Sequence, residues 1–158
     1  MAYTIIDILQ KLMDIEEDSF NLYLHMAEDA GEKSLKIMVA AKAIAKQEQK
    51  HVEYYKALIA DLDIKPNDPI DVYLYDKVSK LLLEFKTHMH LYRMETMEDL
   101  IKFSLEFERS NIGLLLDIQG RLLEKISDMN NNIYKIISTI IEEEREHEKM
   151  FMDLLNYM

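Results

Sequence analysis

Two short motifs in the sequence pair a carboxylate with an imidazole at the same spacing. Glu48 is followed by His51, and Glu144 is followed by His147, so each histidine comes three residues after a glutamate. Residues three apart lie about one turn apart on the same face of an α-helix, where both side chains can reach one metal ion. A single motif of this kind is common on charged helices and usually forms a surface ion pair. Metal binding is therefore indicated only if further ligands accompany the two motifs.

Two single glutamates supply those further ligands. Glu16 precedes the first motif, and Glu108 precedes the second by a similar interval, so the chain carries a weak internal repeat. Two helices with a single glutamate and two with Glu-x-x-His are the arrangement of carboxylate bundles that hold two iron or two manganese ions. The sequence therefore predicts a site built from six side chains, namely Glu16, Glu48, His51, Glu108, Glu144 and His147.

The elements that must position these residues are predicted to be helices. Apolar residues recur at helical spacing over 4–29, 33–62, 97–126 and 131–157, and the chain has only 3 glycines and 2 prolines. Both prolines lie in 64–69, which must end the second helix, and a further helix is expected over 70–85. The predicted fold is an all-α, antiparallel four-helix bundle in one domain, 1–158. It consists of two helical hairpins joined by a long, partly helical crossover, 63–96.

The glutamates and histidines interrupt otherwise apolar seams, the rows of residues at a spacing of three or four that face inward in a bundle. The seams read Ile6, Leu9, Met13, Glu16, Phe20, Tyr23 and Ala27; Ile37, Ala41, Ile44, Glu48, His51, Tyr55, Leu58 and Leu62; Ile101, Leu105, Glu108, Ile112 and Leu115; and Ile133, Ile137, Ile140, Glu144, His147, Phe151, Leu154 and Met158.

Four carboxylates that face one another inside a bundle are costly unless they are protonated or matched by cations. No lysine or arginine occupies the seams. Two divalent metals would bring four positive charges against the four carboxylates, and two neutral imidazoles would complete the coordination. The predicted core is therefore neutral only when metal is bound.

Composition excludes several other classes of function. The 30 acidic residues exceed the 19 basic ones and give a net charge of −11, so nucleic acid and anionic membranes are not expected partners. No apolar stretch reaches the roughly 18 residues of a membrane span, and the start of the chain does not resemble a signal peptide. Zero cysteines leave no thiolate nucleophile and no cysteine-based metal site. A cytoplasmic location is the expectation.

The residues around the predicted ligands resemble the rubrerythrin-related branch of the ferritin-like di-iron carboxylate superfamily. The similar phrases are Ile15-Glu16-Glu17-Asp18-Ser19-Phe20-Asn21-Leu22-Tyr23, Gln47-Glu48-Gln49-Lys50-His51, Leu105-Glu106-Phe107-Glu108-Arg109-Ser110 and Glu143-Glu144-Arg145-Glu146-His147. The resemblance implies two iron ions bridged by Glu48 and Glu144, with Glu16 and Glu108 as terminal ligands and His51 and His147 each on one ion. It implies reduction of hydrogen peroxide, and manganese remains an alternative metal.

The chain also departs from that family's pattern. Full rubrerythrins carry a rubredoxin domain with four cysteines, so the absence of cysteine here implies a separate electron-donor protein. Some members place a further glutamate where this chain has Asn111. Other functions stay open: ferroxidase activity with O2, a di-manganese catalase, a non-enzymatic metal-binding bundle, or glutamates and histidines that serve an assembly interface. A homodimer, with or without exchange of hairpins between two chains, also stays open.

Overall fold

The computed structural model describes residues 2–63, 69–87, 89, 94–125 and 132–158. These residues form five α-helices: α1 (Ile5–Ala30), α2 (Leu35–Asp63), α3 (Val72–Thr87), α4 (Met97–Lys125) and α5 (Asn132–Asn156). Among them there is no β-strand, only one isolated antiparallel bridge between Tyr3 and Ile70. The predicted all-α class is confirmed, and each long helix begins and ends within two residues of its expected bounds. Most of the proline-containing stretch and the polar turn before α5 lie outside the described residues.

Local sequence explains where the helices start and stop. Thr4 and Asp7 form a capping box at the start of α1, in which the Ile6 amide donates to the Thr4 hydroxyl and the Thr4 amide donates to the Asp7 carboxylate. Thr96 and Asp99 cap α4 by the same reciprocal pair of bonds. Because Gly31 has φ of +43°, a conformation that side chains disfavour, the chain can turn there directly from α1 towards α2.

The chain divides into two compact units, Met1–Glu95 and Thr96–Met158. In the first unit α1 packs along α2, and in the second α4 packs along α5. Each pair buries apolar side chains that follow the helical repeat, such as Leu9, Leu12 and Ile44 in the first and Leu115 and Ile137 in the second. Each unit is therefore a helical hairpin with its own apolar contact.

The crossover helix α3 belongs to the first unit and packs against α1. Its buried side chains, Leu74, Val78 and Leu82, recur every four residues and so lie on one face. Two further contacts join α3 to the first residues of the chain and to α1. The ring of Tyr3 stacks on that of Tyr75, with centroids 3.7 Å apart. The Lys86 ammonium lies 3.1 Å from the Asp18 carboxylate. These contacts hold α3 against α1.

The seams are buried at five of the six predicted ligands, and His147 is half-buried. The prediction was wrong at the end of α5. Leu154 and Met158 are 45% and 59% exposed. Leu154 lies in the last turn of a helix that ends at Asn156, and Met158 lies beyond it, so the helical repeat no longer sets its direction. The side chain of Ile133 lies outside the described residues. Of the helices in the described part of the chain, none is long and apolar enough to cross a membrane.

Candidate metal centre

The first hairpin brings three of the six predicted ligands together. Glu16 lies in the middle of α1, and Glu48 and His51 lie one turn apart in α2. Their exposed fractions are only 1%, 2% and 7%. One potential ligand atom from each of the three residues lies within 4.8 Å of the others, and Nδ1 of His51 is 3.3 Å from Oε2 of Glu16. We call these residues the first triad.

The electrostatics of the first triad penalise an ionised Glu48. Burial raises the pKa of Glu48 well above its ordinary value, and the negative charge of Glu16 and a hydrogen-bond interaction with it raise that pKa further. His51 and the hydroxyl of Ser19 act in the opposite direction but do not cancel these effects. Without a cation, Glu48 therefore keeps a proton at a pH where an exposed glutamate would have lost its own.

The second hairpin places its predicted histidine ligand near both of its predicted glutamate ligands, in α4 and α5. Glu108 lies in the middle of α4 and Glu144 in α5, each 2% exposed. Nδ1 of His147 is 3.6 Å from Oε1 of Glu108 and 3.9 Å from Oε2 of Glu144. The imidazole thus lies beside two buried carboxylates, and we call these three residues the second triad. It is the more open of the two, because the side chain of His147 is 21% exposed against 9% for that of His51.

The two triads share one geometric rule. In each hairpin the single glutamate of the first helix lies beside the histidine of the second, as Glu16 lies beside His51 and Glu108 beside His147. Sequence spacing placed the glutamate and histidine of each motif on one face, and the packing of each hairpin adds the single glutamate. All six predicted residues therefore fall into two triads of two carboxylates and one imidazole.

Sequence reasoning missed buried polar residues in both hairpins, among them Ser19 and Gln119. Ser19 is completely buried one turn after Glu16, and its hydroxyl acts on Glu48 by lowering the pKa of that carboxyl group. Its position three residues after a predicted ligand was the available signal. In the second hairpin the amide of Gln119 donates to the Ser138 hydroxyl at 2.7 Å and to the Tyr134 carbonyl at 3.3 Å. That link joins α4 to α5, and no short sequence motif predicts it.

Further buried side chains lie within two helical turns of the triad residues. Tyr23 lies two turns after Glu16, and Tyr55 lies one turn after His51; both are almost fully buried. Asn111, three residues after Glu108, is 2% exposed and contributes a neutral amide where a further carboxylate would add charge. Because the four glutamates are only 1% to 2% exposed, an uncompensated charge on any of them is costly.

The chemistry of the donor sets fits a metal ion. Carboxylate oxygens with imidazole nitrogens suit iron, manganese and zinc, and the chain has no thiolate that would favour a softer metal. A cation beside Glu16 and Glu48 would also offset the repulsion that raises the pKa of Glu48. The residues present are thus compatible with metal binding in both hairpins.

A comparison with protein families gives an independent finding. The family model for rubrerythrin matches residues 7–107, well over half of the chain. The matched region includes the whole first triad and ends one residue before Glu108. Among curated proteins and solved structures, none matches the chain significantly.

Proposed function

Because the chain belongs to the rubrerythrin family, we propose that it is a di-iron carboxylate protein that reduces hydrogen peroxide with electrons from a separate donor. The observation that carries the proposal is the repetition of one triad in both hairpins, with histidine beside buried glutamate at 3.3 Å and 3.6 Å. A chance surface motif would not recur at the same depth with the same partner.

The proposed ligands are the six residues of the two triads. Glu48 and Glu144 would bridge the two ions, Glu16 and Glu108 would bind one ion each from the side, and His51 and His147 would each complete one ion's coordination. Four carboxylates and two divalent ions together carry no net charge. A neutral centre is needed because the four carboxylates are only 1% to 2% exposed. Manganese can satisfy the same donor set, so the metal is part of the proposal.

The chain's own contribution is to hold the reacting groups and limit water. Two ferrous ions, when bound, would supply the two electrons that convert one hydrogen peroxide molecule to water. The buried rings of Tyr23 and Tyr55 and the neighbouring aliphatic side chains restrict access by solvent around the first triad. Restricted access confines a strong oxidant to the site and protects the rest of the protein.

Metal binding is coupled to proton release in the first triad. In the metal-free chain burial and the charge of Glu16 raise the pKa of Glu48, so Glu48 holds a proton that metal must displace. We expect metal loading to release protons at pH values below the raised pKa of Glu48. The two protons that reduction of one peroxide molecule to two waters consumes are separate from this release.

The experiment that tests the proposal is anaerobic loading with Fe(II), followed by rapid mixing with hydrogen peroxide and, separately, with O2. We expect one equivalent of peroxide to oxidise two irons, at a rate at least about 100-fold above that with O2, a difference of about 2.7 kcal/mol in barrier. Free Fe(II) at the same concentration is the control. Faster reaction with O2 would replace the peroxidase proposal by ferroxidase activity. If neither oxidant reacts faster than in the control, a manganese or a non-enzymatic site remains.

A further inference from the structure

The outer face of α2 carries an unusual concentration of positive charge for so acidic a chain. Between Leu35 and Lys50 the only acidic residue is Glu48, which is buried on the opposite side of the helix. The exposed residues of this stretch recur at a spacing of three or four and so share one face. We call this surface the lysine face; it consists of Leu35, Lys36, Val39, Lys42, Lys46 and Lys50.

The lysines of this face differ in their contacts from other lysines of the chain. Lys36, Lys42, Lys46 and Lys50 are all exposed, and none forms an ion pair with the described residues. Other lysines of the chain do: Lys56 lies 3.5 Å from Glu53, Lys86 lies 3.1 Å from Asp18, and Lys102 pairs with Glu98 at 2.6 Å. Four exposed ammonium groups with no ion pair in the described part of the chain, along about 21 Å of helix, make a local positive field on a chain of net charge −11.

The lysine face also has an apolar patch at one end. Leu35 is 66% exposed and Val39 57%, one helical turn apart on the same side. Exposed apolar residues beside charged ones form the usual pattern of a transient protein interface, in which the apolar contact gives affinity and the charges steer the approach. The surface thus has both components of a docking site.

The positive charge of the lysine face indicates which kind of molecule binds there. Two copies of the chain that meet through this same face would place lysines against lysines, which disfavours a two-fold dimer there. A long polyanion would meet the remaining acidic surface, where the chain's excess of acidic residues repels it. A small acidic protein can contact the lysine face alone, and the rest of the surface repels it from other positions.

The lysine face lies on the same helix as two proposed metal ligands, and this position indicates what its partner does. Glu48 and His51 project from the buried side of the same helix whose outer side carries the lysine face. A helix with its side chains is about 10–12 Å across, so a single helix separates a docked partner from the first triad. We propose that the lysine face is the docking site for an acidic one-electron carrier protein, the donor that the proposed function requires. Each docked carrier gives up one electron, and two encounters replace the two electrons that one peroxide molecule takes.

The test measures binding first, so that it does not depend on the metal site. The probe is an acidic [2Fe–2S] ferredoxin, titrated at low salt into the full chain and into the variant Lys42→Glu/Lys46→Glu/Lys50→Glu. The matched control, Lys80→Glu/Lys135→Glu/Lys149→Glu, changes the net charge equally at exposed lysines outside α2. We expect the lysine-face variant to weaken binding by about tenfold or more and the control by less than about twofold, with wild-type binding weakening as salt is added.

Equal losses in both variants, or no loss in either, would overturn the proposal. Sedimentation of each protein alone gives a further outcome: if the wild type self-associates and only the lysine-face variant does not, a second copy occupies the face and the proposal is wrong. Peroxide turnover with dithionite separates this inference from the proposed function. The lysine-face variant is expected to match the wild type with dithionite and to lose turnover only with ferredoxin. No turnover with dithionite in the wild type would count against the proposed function, while the binding result would stand by itself.

Discussion

Replacement of Glu48 by alanine is expected to abolish specific metal binding. Glu48 is 2% exposed, lies among the ligand atoms of the first triad, and is proposed to bridge both metal ions. Changes in residues that only support a ligand cost about 10- to 100-fold in metal affinity, so we expect removal of a bridging ligand to cost more than about 100-fold. The measurement is the number of Fe(II) ions retained per chain after anaerobic equilibrium dialysis.

The control for this experiment is Glu53→Ala. Glu53 lies on the same helix but is exposed, and its carboxylate contacts only the Lys56 ammonium among the ion pairs observed. We expect Glu53→Ala to retain two ions per chain with unchanged affinity, because its carboxylate lies outside both triads. Retention of two ions by Glu48→Ala would show that the proposed site is wrong.

The metal-free protein is expected to lose stability as the pH rises, and Glu48→Gln is expected to reduce that loss. The pKa of Glu48 is raised in the folded chain by burial and by Glu16, whereas in the unfolded chain it returns to about 4.3. Between these two values the unfolded state releases a proton that the folded state keeps, so the free energy of unfolding falls as pH increases. The loss is about 1.4 kcal/mol for each unit by which the pKa is raised. Glutamine does not titrate, so the metal-free variant should be the more stable protein at pH 7.

Urea unfolding in the presence of a chelator, at pH values from 4.5 to 8, measures this effect, with Glu53→Gln as the control. With metal present the order should reverse, since a bound cation replaces the proton on Glu48 and stabilises only the wild type. A metal-free Glu48→Gln variant less stable than the wild type at pH 7 would contradict the argument. It would mean that Glu48 is ionised in the metal-free chain and makes interactions that glutamine cannot replace.

The helices and the triads could be predicted because both depend on the same short-range repeat. Apolar spacing fixed the four long helices to within two residues, and the three-residue spacing of Glu48 and His51 placed both on the buried face. The contact between Glu16 and His51 was not predicted, but it is consistent with the short connection at Gly31, after which α1 and α2 pack side by side.

Features that depend on three-dimensional packing were not predictable from the repeat. The apolar seam of α5 was predicted to include Leu154 and Met158, which are exposed. A periodic pattern does not show where the neighbouring structure ends. The burial of Ser19 and the bond from Gln119 to Ser138 depend on which side chains meet between two helices. Sequence spacing cannot rank such polar residues against ordinary exposed ones.

The observation behind the second triad is its geometry, because the family match does not reach it. The match to the rubrerythrin family ends at residue 107, so it gives no direct support for Glu108, Glu144 or His147. These residues nevertheless repeat the contact seen in the first hairpin, with 3.6 Å between His147 and Glu108. The family match thus covers the segment that contains the first triad, and the repeated contact is the observation behind the proposal for the second.

The six residues of the two triads are proposed to bind two metal ions. The most direct test is a crystal structure of the protein loaded with Fe(II) under anaerobic conditions, with anomalous scattering measured on both sides of the iron absorption edge. We predict two iron peaks per site, with Glu16 and His51 bound to one ion, Glu108 and His147 bound to the other, and Glu48 and Glu144 bound to both. A single peak, or iron bound away from either triad, would contradict the account.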